Sequence, residues 1–141
     1  MSNPYYHSVS SAKRFGGTPD DYQEVHEWFD RGKASQPDFK HRALSHHTQG
    51  IYDAAQLFGA TILISTGARV PTRLIGEQHV MEDLGFVPSL QDWMDLLFVK
   101  RWMSPRSKLL FARFTSSQQG DMIADQASPY EDEKAISADT I

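Results

Sequence analysis

The chain has 141 residues, no cysteine, 14 basic against 18 acidic side chains and 40% hydrophobic residues. This composition predicts one ordinary globular unit with a real core. It excludes disulfides, thiolate metal sites and a thiol nucleophile, and the formal charge of −4 argues against general nucleic-acid binding. No stretch approaches the roughly 20 apolar residues of a membrane helix. Met1-Ser2-Asn3-Pro4 opens no secretory signal, so the expectation is no membrane and a cytoplasmic location.

Residues 1–17 read as a short helix closed by Gly16-Gly17. Thr18-Pro19-Asp20-Asp21 is a helix start, with a capping hydroxyl, proline at the first position and acids in the first turn. That helix is expected over 19–31, burying Tyr22, Val25, Trp28 and Phe29, with His26 beside the stripe. After Pro37, residues 38–58 read as one long amphipathic helix capped by Gly59. Phe39, Ala43, His47, Ile51, Ala54 and Phe58 share its apolar side. Arg42, His46, Gln49 and Asp53 share another face, and His41 points away from both. The three histidines of this helix therefore form no metal site by themselves, and His47 reads as a hydrogen-bonded core residue.

After Gly59 the period changes. Residues 61–65 and 70–75 read as a β-hairpin, with Pro71 at an edge. A short helix is expected over 76–84, closed by Gly85, and another over 90–98, opened by Ser89 with Asp92 as a capping box. Leu90, Trp93, Met94 and Leu97 form the apolar face of the latter. Five basic residues and no acids follow between Lys100 and Arg113, with aromatics interleaved. The composition then flips: residues 119–141 hold six acids against one lysine, the pattern of an extended tail. The expected architecture is a helix-dominated α+β domain over 1–103, with a long central helix and a small hairpin, and a C-terminal arm over 104–141.

His79 faces Glu82 and Asp83 at helical spacing, which suits either two ligands on one metal or a carboxylate orienting an imidazole. The candidate metal set is His46, His47, His79, Glu82 and Asp83, for a divalent ion. No residue is assigned a catalytic role, because the HExxH, P-loop, GxGxxG and GxSxG signatures are all missing. The candidate partner-binding set is Lys100, Arg101, Trp102, Arg106, Lys108, Phe111, Arg113 and Phe114. Aromatics among bases suit single-stranded nucleic acid, but five charges make a modest patch, so a protein partner or larger assembly is favoured over nucleic acid.

The run from His7 to Gly17, the block from Tyr22 through His26-Glu27-Trp28-Phe29-Asp30, the block from Asp38 to His47, and Ile75 to Gly85 together resemble a small domain of unknown function from bacteria and their phages. The resemblance continues through Pro88 and Asp92-Trp93 to Trp102-Met103, covering roughly 7–103. It implies an intracellular or virion setting and carries no activity or site residues with it. Three readings follow. The first is a non-enzymatic interaction protein docking through its arm. The second is a metal-dependent hydrolase or nuclease built on the histidines and carboxylates, and the third a binder that sequesters a small molecule or nucleotide.

Overall fold

The computed structural model describes residues 3–103. The chain divides into two units between Leu97 and Phe98. The expected arm over 104–141, with Arg106, Lys108, Phe111, Arg113 and Phe114, lies outside the described residues. Among the described residues the fold is helix-dominated with one two-stranded antiparallel sheet, in keeping with the expected class.

Helix α1 spans Pro4–Phe15, with the Asn3 side chain accepting from the Tyr5 N–H at its start. Helix α2 spans Asp20–Asp30 and buries Tyr22, Val25 and Phe29 as expected. It also buries His26 and Asp30, one position beyond the apolar stripe. Thr18 is not the capping hydroxyl. Instead the Asp21 carboxylate accepts from the Thr18 N–H at 2.8 Å, and from the N–H and hydroxyl of Ser65 at 2.9 and 2.7 Å. One side chain thus starts the helix and ties it to the hairpin turn.

The single helix expected over 38–58 is instead two elements. A 3-10 turn covers Phe39–Leu44, and helix α3 covers Thr48–Phe58. Between them the backbone extends at His47, whose ring nitrogen Nδ1 accepts from the Gly50 N–H at 3.0 Å. The His46 carbonyl, which a continuous helix would offer to Gly50, accepts from the Trp93 indole at 3.0 Å. Ser45 donates its hydroxyl to the Phe29 carbonyl at 2.8 Å, pinning the break to the end of α2. The break undoes the first part of the expected pattern: Phe39 is exposed, while His41 and His46 are buried.

Strands β1, Thr61–Leu63, and β2, Arg69–Pro71, pair with Ile62 opposite Val70. The second strand is shorter than expected because proline cannot donate to the ladder, and helix α4, Thr72–Leu84, begins at once. Thr72 fastens this junction by donating its hydroxyl to the Gly59 carbonyl and its N–H to that of Ala60. Helix α5, Leu90–Met94, has the expected Ser89–Asp92 capping box but stops short, leaving Met94 and Leu97 exposed rather than buried. Beyond it, a 3-10 turn spans Arg101–Met103. No helix among the described residues is long and apolar enough to cross a membrane.

Helix α2 packs against α1, α3 and α4, and α3 against α4. Tyr22, Val25, Phe29, Ile51, Ala54, Ile64, Val70, Ile75 and Val80 form the apolar core. Gly76 lets α4 approach α2, since a Cβ there would sit 2.8 Å from the Phe29 ring. The face of α4 that follows Gly76 carries Gln78 and His79 into the interior, and there the core turns polar.

Candidate metal centre

Helices α2 and α4 carry the same spacing, His26-x3-Asp30 and His79-x3-Asp83. Residues four apart lie on one helix face, so each helix presents an imidazole and a carboxylate to the other. The break at Ser45–His47 adds His46, and the 3-10 turn adds His41. His7 enters from α1. All five of these histidines are at most 1% exposed.

Four ligand-type atoms lie within 4.8 Å of one another, from Asp30, His46, His79 and Asp83. His46 Nε2 is 3.0 Å from Asp83 Oδ2 and 3.1 Å from His79 Nε2. His79 Nε2 is 3.5 Å from Asp30 Oδ1 and 3.6 Å from Asp83 Oδ2, and His46 Nε2 is 3.8 Å from Asp30 Oδ1. Ligands about 2.1 Å from a tetrahedral ion would be about 3.4 Å apart. The observed separations bracket that value.

The surrounding hydrogen bonds decide where the protons are. The Gln78 amide nitrogen donates to Glu82 Oε1 at 2.9 Å and contacts the His7 carbonyl at 3.4 Å, so its oxygen must accept. The Ser11 hydroxyl therefore donates to that oxygen, and accepts from His26 Nε2–H at 2.8 Å. His26 Nδ1 is then a lone pair, and it accepts from His79 Nδ1–H at 2.9 Å. The consequence is that His79 Nε2 presents a lone pair to Asp30 and Asp83. His41 follows the same logic, because its Nδ1–H donates to the Asp38 carbonyl at 2.5 Å. His46 differs: its Nδ1 is 3.4 Å from the Ser45 hydroxyl, which donates to Phe29, while its Nε2 makes the shorter contacts, 3.0 Å to Asp83 Oδ2 and 3.1 Å to His79 Nε2. Two carboxylate oxygens and the Nε2 atoms of three imidazoles thus point inward, and two of those nitrogens, on His79 and His41, present lone pairs. Asp30 Oδ1 and His41 Nε2 are buried without a hydrogen-bond partner.

Burial favours the neutral forms of His26, His46 and His79. His26 is pushed down to about 2 by burial and then by the neighbouring His79 and His7, and His79 to about 4 by burial. His7 behaves oppositely. Burial works against its charge, but contacts with Asp83 at 3.4 Å and Glu82 at 2.5 Å outweigh that and raise it above the ordinary histidine value. Lys33 bonds Asp30 Oδ2 at 2.8 Å, and Arg42 Nε lies 3.5 Å from Asp83 Oδ2. Lys33 thus holds the outer oxygen of Asp30, while Arg42 and His7 flank the two oxygens of Asp83.

A pH dependence follows. For His79 and His26 the folded-state values lie below the unfolded value of 6.5, so the stability tied to their neutral forms is present above pH 6.5. It declines as pH falls toward about 4, where His79 itself takes up a proton in the folded state. The expected slope in metal-free protein is about 1.4 kcal/mol per pH unit for each ring. Urea midpoints between pH 7 and 4.5 check it, and a flat profile contradicts it.

Of the residues expected at a metal, the structure brings together His46, His79 and Asp83. His47 is not among them, because its ring is used on backbone: Nδ1 accepts from Gly50, and Nε2–H donates to the Ala43 carbonyl at 3.1 Å. Glu82 lies at the edge, bonded to His7. Asp30 and His41 were missed. The repeated His-x3-Asp spacing was the available signal for Asp30; the 3-10 turn that buries His41 had none. Lys100, Arg101 and Trp102 lie in the second unit, in or beside the last 3-10 turn, with Trp102 exposed. A separate groove of about 420 Å³ is lined by Thr48, Ile51, Tyr52, Ala55, Arg73, Glu77 and Val87 and shares no residue with the cluster.

No curated protein and no solved structure matches the chain. A family model does match, over residues 2–103, which include every residue of the cluster. The chain therefore belongs to the family described as a domain of unknown function, DUF6915.

Proposed function

We propose that this protein holds one divalent transition-metal ion between Asp30, His46, His79 and Asp83, and is a metal-dependent hydrolase. The observation that carries the reading is the convergence of ligand-type atoms from Asp30, His46, His79 and Asp83 within 4.8 Å of one another. A self-satisfied polar core pairs each lone pair with a proton; here Asp30 Oδ1 and His41 Nε2 face each other without a hydrogen-bond partner. Fixing an imidazole tautomer through its second nitrogen is what outer-shell partners do at metal sites.

A bound ion of this kind lowers the pKa of a water at neutral pH. The Glu82 side chain, about one third exposed and bonded to His7, is the proton acceptor at the edge of the cluster. Arg42, partly exposed and paired through its Nε with Asp83, adds positive charge at the edge of the cluster, which favours an anionic substrate. A phosphodiester is the class to test first. Cysteine-free composition and the family resemblance support a bacterial cytoplasm or a phage particle as the setting.

Elemental analysis of the purified full-length protein is expected to find about one ion per chain, and none in His79→Ala. Hydrolysis of a chromogenic phosphodiester should follow the metal content. A metal-free wild type, with His79→Ala merely less stable, would make the cluster a structural feature.

Docking through the C-terminal arm is a second, compatible reading. It is supported by the exposed apolar run Leu96, Leu97 and Phe98, with Trp102 beyond it. Deleting residues 104–141 should abolish assembly with a partner; unchanged assembly would reject it.

A further inference from the structure

The four-residue set leaves one buried group unexplained. His41 lies in the 3-10 turn Phe39–Leu44 with its side chain fully buried. The Asp38 carboxylate caps this turn by accepting from the Lys40 N–H, and the Asp38 carbonyl holds His41 Nδ1. Gly32 lets the turn pack closely against the end of α2, since a Cβ there would lie 2.7 Å from Leu44 Cδ1 and 3.2 Å from the His41 Cβ. Held in this way, His41 Nε2 faces Asp30 Oδ1 at 3.5 Å, and neither atom has a hydrogen-bond partner.

Two arrangements would make this contact favourable. A protonated His41 would bond the carboxylate directly, but charge-assisted N–H···O bonds run at about 2.7–2.9 Å. The observed 3.5 Å is too long for that bond. It matches the spacing between His79 Nε2 and the same oxygen, also 3.5 Å, which is the spacing of two ligands on one ion; His41 stands outside the four residues whose ligand atoms are all within 4.8 Å of one another, so it would reach the ion from the Asp30 side. Asp30 Oδ1 is thus ringed by the Nε2 atoms of three imidazoles, with His46 at 3.8 Å.

We infer that His41 is a fifth ligand of the same ion, so that the complete set is His41, His46, His79, Asp30 and Asp83. This rests on the metal-centre reading above. Structural zinc sites are almost always four-coordinate and tetrahedral. Three imidazoles and two carboxylates instead suit ions that readily accept five or six ligands, such as Mn(II), Fe(II), Co(II) or Ni(II). The two carboxylates also neutralise the charge of a divalent ion.

Cobalt(II) substitution of the full chain tests this, because its visible bands are weak with five or six ligands and several-fold stronger with four. Wild type is expected to bind one equivalent with weak bands. His41→Ala should bind one equivalent about 10- to 100-fold more weakly, by the scale of losses at metal-supporting positions, with intensified bands that added imidazole reverses. Strong bands in wild type, unchanged in the variant, would overturn the inference, as would two ions per wild-type chain. Wild type that binds no cobalt would reject the metal centre itself. Should His41→Ala fail to fold, X-ray absorption on cobalt-loaded wild type decides: three imidazole scatterers support the assignment and two reject it.

Discussion

In the presence of a chelator, Asp30→Asn is expected to be at least as stable as the wild type. This runs against the usual rule, by which breaking a buried ion pair costs about 3–5 kcal/mol. In metal-free wild type, Asp30 Oδ1 faces imidazole lone pairs and receives no hydrogen bond. An asparagine would keep an oxygen toward Lys33 and turn its NH2 toward His41 and His79, supplying the missing donors. Metal should reverse the order. Wild type gains about 4 kcal/mol when the ion is a thousandfold above its dissociation constant, and the variant, short of a ligand, gains little. Urea unfolding of both proteins with and without a divalent ion reads all four states. A loss of about 3–5 kcal/mol for the variant in chelator, with no gain by wild type in metal, would mean that the cluster is satisfied as it stands.

Gly50→Ala is expected to be the most damaging glycine-to-alanine change among the described residues, at about 3 kcal/mol. A Cβ there would lie 1.9 Å from the Ser45 carbonyl oxygen and 2.5 Å from its carbon. Both are backbone atoms, and Ser45 is tied to Phe29, so the segment cannot yield cheaply. Pushing Ser45 moves the neighbouring His46, and metal affinity should fall together with stability. Ile64→Ala is the comparison. It should cost a similar 2–5 kcal/mol by opening a cavity, but in the hairpin region, leaving the affinity of the folded protein unchanged. Equal affinity in Gly50→Ala and Ile64→Ala at matched stability would separate the break from the site.

Several elements were legible because their signals are local. The Ser89–Asp92 box, the start of α2 and the β-rich run before Gly67 depend on neighbours a few residues apart, and the structure has each near its expected place. His79 and Asp83 were legible as a pair, since four residues on a helix fix their common face.

The break at Ser45–His47 was not legible. Residues 38–58 keep a helical period throughout, and only distant partners interrupt it: Trp93 takes the His46 carbonyl, and Phe29 takes the Ser45 hydroxyl. Those bonds reach 47 and 16 residues along the chain, beyond any local pattern. The sequence by itself therefore determined a helix-rich domain with a small hairpin and a histidine–carboxylate pair on α4. Tertiary structure decided which histidines turn inward, brought Asp30 beside them and withdrew His47 to cap α3. The physical reason is that a buried lone pair is defined by what bonds to the other side of its ring, and those partners come from four different segments of the chain.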